Sequence, residues 1–207
     1  MKNDDKIISW AAELQSLSQT ALYYCKDKFD IERFQRIRDI SAEMIAMKTD
    51  LPLDKVKDLF CGDEGYQTPK IDTRGAIFKD EKILLVRESD GRWTMPGGWC
   101  DFNLSPAENT VKEVFEEAGL KISVDKLVAV HDREKRNADT YIFGVAKFFF
   151  LCSNLGGDFQ KNIETVESKY FAENEIPENL ANEKCTAEQI KLCFKAHRSE
   201  FWETQFD

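Results

Sequence analysis

The chain changes texture once, and that change limits what it can fold into. Through about residue 60 its apolar residues recur at helical spacing; after Lys70 they gather into short β-branched and aromatic runs. In "IISWAAELQSLSQTALYYC", Ile7, Trp10, Leu14, Leu17, Ala21 and Tyr24 recur at alternating steps of three and four. That is a narrow seam suited to another helix. A second helix is expected over about 31–48, with Ile31, Phe34, Ile37, Met44 and Ile45 facing inward, and a short third from Leu53 to Phe60. The stretch "CGDEGYQTPKIDTRG" breaks the pattern with glycine, proline and small polar residues. The domain boundary is expected there, dividing a helical module over 1–65 from a second domain over 66–207.

Beyond the boundary, "RGAIFKDEKILLVRESDGRWTMPGG" reads as two strands with a hairpin-like return. "LVAVHDR" and "TYIFGVAKFFFLC" read as further strands, the second apolar enough to be central in a sheet. "VESKYFAENEIP" reads as a shorter strand leading to a turn. "TAEQIKLCFKAHRSEFW" reads as a terminal helix capped by Thr186 with Gln189 as its capping-box partner. The fold class expected is α+β, preceded by an all-helical module.

Charge and composition disfavour several classes of function. A net charge of -9 gives no cationic surface for nucleic acid or anionic lipid. The most apolar run, Val145 to Cys152, is too short to span a bilayer and contains Lys147. No basic segment followed by an apolar one opens the chain, so no secretory signal is expected. The six cysteines are scattered without a CxxC pair, which reads as reduced thiols in a cytoplasm. Only two histidines, His131 and His197, are present, which argues against a histidine metal site and for a carboxylate base. His131 itself reads as structural.

The chemistry concentrates in "GGWCDFNLSPAENTVKEVFEEAGL", residues 97–120. Ser105 is a helix cap, Pro106 suits the first helical position, Glu108 completes a capping box and Gly119 is a natural stop. Between them Glu113, Glu116 and Glu117 stand at i, i+3 and i+4, so their carboxylates share one stripe. Val111, Val114, Phe115 and Ala118 form an apolar side expected to dock the helix. Crowded carboxylates beside a double glycine, where backbone can approach a ligand closely, suit a hard cation such as Mg2+ or Mn2+. The competing reading of any one glutamate is a solvated helix face.

The stretch from Gly98 to Leu120 resembles the Nudix box. In that pattern a Gly is followed after five residues by Glu, then after seven by Arg-Glu-aliphatic-any-Glu-Glu-any-Gly-aliphatic. Gly98, Glu113, Val114, Glu116, Glu117, Gly119 and Leu120 fall in register. Two positions depart: Leu104 stands where the first Glu is expected and Lys112 where Arg is expected. In the family those two side chains support each other, so the departure bears on how the helix is held.

The resemblance covers about residues 70–205 and implies a Nudix α/β/α sandwich with a mixed sheet. It implies metal-dependent hydrolysis of a nucleoside diphosphate linked to a group X, with Glu113, Glu116 and Glu117 as metal ligands and a carbonyl of Gly97 or Gly98 assisting. The base is Glu117 itself or a carboxylate in "NIETVESKYF", Glu164 ahead of Glu167. Arg87 is the leading phosphate-binding candidate, with Arg74, Arg133, Lys135 and Arg136 as weaker ones. Trp99 or Phe102 could stack on a base or cover a choline-like cation, while Trp93 reads as core. Together with "GYQTPK" and the helical module, the box is similar to the bacterial CDP-choline pyrophosphatase subgroup. ADP-ribose pyrophosphatase, processing of RNA ends or other nucleotides, and a non-catalytic nucleotide sensor are the alternatives. The expected partners are a small nucleotide and a second copy of the chain as a homodimer, with no membrane and no stable nucleic-acid complex.

Overall fold

The structure, a computed structural model, describes residues 3–49, 51–137 and 141–207. Its helices are α1 (Asn3–Tyr24), α2 (Lys28–Lys48), α3 (Leu53–Phe60), α4 (Pro106–Ala118), the short α5 (Arg133–Arg136) and α6 (Ala187–Arg198). Its strands are β1 (Lys70–Lys79), β2 (Lys82–Glu88), β3 (Trp93–Thr94), β4 (Leu120–Asp132), β5 (Val145–Gly157), β6 (Thr165–Phe171) and β7 (Gln205–Phe206). They form two compact units. One is the N-terminal segment ending at Pro69 plus a short insertion ending at Gly144; the other begins at Lys70 and holds the rest. The apolar stretch 140–152 was expected to be strand throughout. Thr140 lies outside the described residues, and β5 starts only at Val145, because Ile142 packs instead in the helical core.

In the helical unit, Ala11 of α1, Ala42 and Ile45 of α2, and Val56 and Phe60 of α3 form a small core. Asp27 caps α2, its carboxylate accepting the Phe29 and Asp30 N–H groups. The seam read from sequence does not face this core. Trp10, Leu17 and Tyr24 are exposed, and the buried face of α1 is Ala11, Gln15, Ser18 and Gln19. The glutamines on this face are bonded: Gln15 donates to Gln19 Oε1 and to the Phe60 carbonyl, both at 2.8 Å. Likewise Ile31 of α2 is exposed, and Ser41, Ala42 and Ile45 are the buried residues.

The second unit is a mixed seven-stranded sheet in the order β3-β2-β1-β5-β4-β7, with β6 also on β2. β1 and β5 run parallel from Lys70↔Val145 to Ile77↔Cys152, and β4 pairs antiparallel with β5, so β5 is central as expected. Strand periodicity separates two cores. Ile83, Leu85 and Phe149 face α6, where Ile190, Cys193, Phe194 and Ala196 are buried. Their neighbours Leu84, Val86 and Phe150 face the other way, toward Val114 and Ala118 of α4. The sheet is therefore a layer between two helices. Both helices open with complete capping boxes, Ser105 with Glu108 and Thr186 with Gln189.

Candidate active site

The site is built where α4 meets the turn Met95–Cys100. The turn runs along β1 as an extra strand: Gly75 N–H donates to Pro96 O, Thr73 N–H to Gly98 O, and Cys100 N–H to Ile71 O. Gly97 has φ of +142°, and a Cβ there would lie 1.9 Å from the Thr73 carbonyl oxygen, so only glycine fits. A Cβ at Gly98 would lie 2.5 Å from Glu113 Oε2, which shows how closely that carboxylate approaches the turn. Buried Asn109 bolts the helix down: its amide donates to Thr73 Oγ1 and the Trp99 carbonyl, and its oxygen accepts the Asp101 N–H.

The three glutamates occupy one stripe at graded depth. Glu117 is buried, with Oε2 accepting the Gly97 N–H at 2.8 Å. Glu113 is partly buried, and Glu116 is exposed. Burial pushes the Glu117 carboxyl up to about 7 against the pull of nearby Arg74. Burial also raises Glu113, with Lys112 opposing. The Lys112 ammonium lies among the carboxylates, 3.1 Å from Glu113, 3.1 Å from Glu116 and 3.3 Å from Asp101. With Lys112 there and Glu117 turned to Gly97, no group of three acidic, histidine or cysteine side chains among the described residues is already drawn together around one point.

The docking face differs from the apolar side expected. Val111 and Phe115 are exposed, and α4 packs through Asn109, Thr110, Val114, Glu117 and Ala118. The helix is thus held by polar contacts as well as by the apolar packing of Val114 and Ala118. At its last turn, Asn162 Nδ2 donates to Glu116 O and Thr165 Oγ1 to Glu117 O, both at 2.7 Å.

Residues 69–192 match the NUDIX domain family, and residues 5–60 match a UDP-X-like N-terminal oligomerisation domain. The chain belongs to the Nudix family. It is 36% identical, over the full length of both chains, to YjhB of Bacillus subtilis (strain 168), whose name assigns it provisionally as an ADP-ribose pyrophosphatase. A crystal structure of an ADP-ribose pyrophosphatase from Streptococcus suis 89-1591 is 53% identical with a TM-score of 0.63, covering 68% of this chain and 100% of that one. A crystal structure of a UDP-X diphosphatase is 32% identical with a TM-score of 0.63, covering 98% of both. The chain is accordingly a Nudix pyrophosphohydrolase with an N-terminal oligomerisation module, from a family whose members work with divalent cations. Among its described residues no helix is long and apolar enough to cross a membrane.

The Nudix fold brings only some of the expected residues to the stripe. Gly97, Gly98, Glu113, Glu116 and Glu117 lie together; the Gly98 carbonyl already accepts from Thr73 and retains one lone pair. Glu164 is exposed on the loop that Asn162 and Thr165 fasten to α4, and its carbonyl accepts the Ser89 N–H. Glu167 is on β6, paired with Arg87 of β2 at 2.8 Å. Arg87 lies over Trp93, and its Nε is buried with no hydrogen-bond partner among the described residues. Trp99 and Phe102 are exposed beside the turn, and Trp93 is core. Arg74 is not presented to solvent: it is 3% exposed and donates to both Asp72 carboxylate oxygens at 2.8 Å. Arg136 pairs with Asp207 and Lys135 reaches Asp132. Sequence reasoning missed Asp101, Asn109, Asn162 and Thr165, whose roles are contacts across the chain rather than spacing within it.

Proposed function

We propose that the chain hydrolyses the pyrophosphate bond of a nucleoside diphosphate linked to a sugar-like group, with ADP-ribose as the leading substrate. The observation that carries the reading is the stripe of Glu113, Glu116 and Glu117, with Glu117 buried against the Gly97 N–H. A desolvated carboxyl at about 7 beside a second raised one is a donor set that gains most from a hard divalent cation, Mg2+ or Mn2+. When bound, that cation supplies charge neutralisation for the pyrophosphate. The Gly97 N–H orients Glu117, and the Gly98 carbonyl adds an oxygen donor. Glu164 Oε, on the loop tied to the last turn of α4, takes the proton of the attacking water, with Glu117 as the other candidate. Arg87 donates to a phosphate oxygen through its partly exposed guanidinium, which pairs with Glu167 when no substrate is bound, and Trp99 and Phe102 provide faces for the base. Arg74 is withdrawn from that role by its burial. A chain of net charge -9 admits an anion through such local cations, which favours compact diphosphates over long polyanions.

The N-terminal module closes a homodimer in this reading. Trp10, Leu17 and Tyr24 form an outward apolar stripe on α1, and that segment matches an oligomerisation domain.

A substrate panel with Mg2+ or Mn2+ tests the proposal. ADP-ribose is expected to yield AMP and ribose 5-phosphate, ahead of a UDP-sugar and of CDP-choline, the substrate that the box and "GYQTPK" suggest. Faster cleavage of CDP-choline would move the choice of X without touching the site. Inert diphosphates alongside a rapidly cleaved triphosphate or RNA 5′ end would overturn the substrate class. Tight nucleotide binding with no turnover in either metal would leave a sensor instead of an enzyme.

A further inference from the structure

The loop between β5 and β6 carries Glu164 and is seated on the end of α4. The last four carbonyls of a helix have no partner within it. Here Phe115 O accepts the Gly119 N–H, and the loop takes the next two. Glu116 O accepts from Asn162 Nδ2 and Glu117 O from Thr165 Oγ1, both at 2.7 Å. Gly119 leaves room for the start of the same loop, since a Cβ there would lie 2.2 Å from the Asp158 carbonyl oxygen. Both ends of the segment 158–165 therefore rest on the last turn of the helix.

The other side of the Asn162 amide faces its own loop. Its Oδ1 accepts the Glu164 N–H at 2.9 Å and the Thr165 N–H at 2.8 Å, and its backbone N–H donates to Thr165 O at 3.0 Å. The reverse amide orientation would set N–H groups against N–H groups, so the partners fix which atom is which. The Glu164 carbonyl accepts the Ser89 N–H from the turn after β2, at 3.0 Å. The backbone of Glu164 is thus pinned on both sides while its side chain is exposed. An exposed side chain on a loop takes its place from its backbone. A base must lie within hydrogen-bond reach of the water it deprotonates, and a displacement of about 1 Å can cost about 100-fold in rate.

We infer that Asn162 is a positioning residue: its amide ties the Glu164 loop to the last turn of α4, and so sets where the Glu164 carboxylate stands relative to those of Glu116 and Glu117. Thr165 is the second tie, one residue beyond Glu164, but it is buried, whereas Asn162 is only half-buried and can be replaced without opening the core. The inference rests on the reading of Glu164 as the base and adds to it the residue that sets its place.

Two substitutions separate the halves of the amide. Asn162→Asp keeps the acceptor for the Glu164 and Thr165 N–H groups and loses the donor to Glu116 O; Asn162→Ala loses both. In the metal-free full chain, amide hydrogen exchange at Glu164 and Thr165 should quicken at least about tenfold in Asn162→Ala and stay near wild type in Asn162→Asp. With ADP-ribose and Mg2+, both variants should lower kcat about tenfold and leave KM within about twofold. In a Glu164→Gln background, Asn162→Ala should lower kcat further by no more than about twofold, because the group it places is already gone. Unchanged exchange in Asn162→Ala, wild-type kcat in either variant, an equal fall in both backgrounds, or a raised KM with intact kcat overturns the inference. If Asn162→Ala fails to fold, Asn162→Asp carries the kinetic comparison in both backgrounds. Glu164→Gln with wild-type kcat, or a chain inert on every diphosphate, would instead sink the reading of the site, and the exchange measurement would still decide whether Asn162 holds the loop.

Discussion

The helices on the two faces of the sheet begin alike and are used differently. α4 and α6 each open with a capping box, and each lies on strands that alternate between them. α6 buries four apolar residues, Ile190, Cys193, Phe194 and Ala196, and one polar one, Gln189. α4 buries Asn109, Thr110 and Glu117 along with only two apolar residues, Val114 and Ala118. A helix held by apolar area can slide by a fraction of an ångström at little cost, whereas one held by directional hydrogen bonds cannot. α6 therefore contributes stability, and α4 gives up part of that contribution to fix three carboxylates against a glycine turn.

The contrast can be broken by mutation. Phe194→Ala should cost about 3–5 kcal/mol in denaturant unfolding, while kcat per folded molecule stays near wild type. A large fall in kcat would show that α6 reaches the site after all. Glu116→Gln should do the reverse. Its side chain is exposed, so melting should be unchanged, while kcat should drop at least about 100-fold, roughly 2.7 kcal/mol, if it ligates the cation. Wild-type turnover would remove it from the metal set.

The protonation of Glu117 sharpens the comparison. Its carboxyl is raised from 4.5 to about 7 by burial, so between those values the folded protein binds a proton that the unfolded chain does not. Stability from this group is thus present below about pH 4.5 and is lost as pH rises toward 7 in metal-free protein. A cation must displace that proton. The concentration for half-activation should rise about tenfold for each unit that pH falls below 7, and Glu117→Gln should abolish the slope in direct metal-binding titrations. A flat profile in the wild type would show Glu117 to be ionised throughout.

The smallest effect concerns the caps. Ser105→Ala and Thr186→Ala should each destabilise by about 1 kcal/mol in denaturant unfolding. Only Ser105→Ala should also lower kcat, by a few-fold, because Ser105 caps the helix that carries the three carboxylates. Equal kcat in both variants would mean that the contacts of Asn109 hold α4 without help from its cap.

Much of this was legible in the chain. The limits of α4 and the start of α6 follow from local chemistry, since a cap, a proline and a left-handed glycine act within a turn of their own positions, whereas α6 stops at Arg198, short of the Trp202 expected. The central place of β5 followed from its apolar run. The docking face of α4 did not, because Val111 and Phe115 are as apolar as Val114 and only the path of β1 decides which is covered. The same holds for α1, where Trp10, Leu17 and Tyr24 point outward while Ala11 and the polar Gln15, Ser18 and Gln19 are buried.

Residue type and spacing by themselves determined that three carboxylates share a stripe beside a double glycine, and that a helical segment precedes a mixed domain. Only the tertiary structure decided their depths, with Glu117 sealed, Glu113 half covered and Glu116 in solvent. It also decided that Arg74 turns inward to Asp72, and that one lysine in an apolar strand has its partner on the next strand, 75 positions away. Spacing along one helix is set by covalent geometry, whereas burial and ion pairing depend on which strand lies beside which, and that is settled only when the whole sheet assembles.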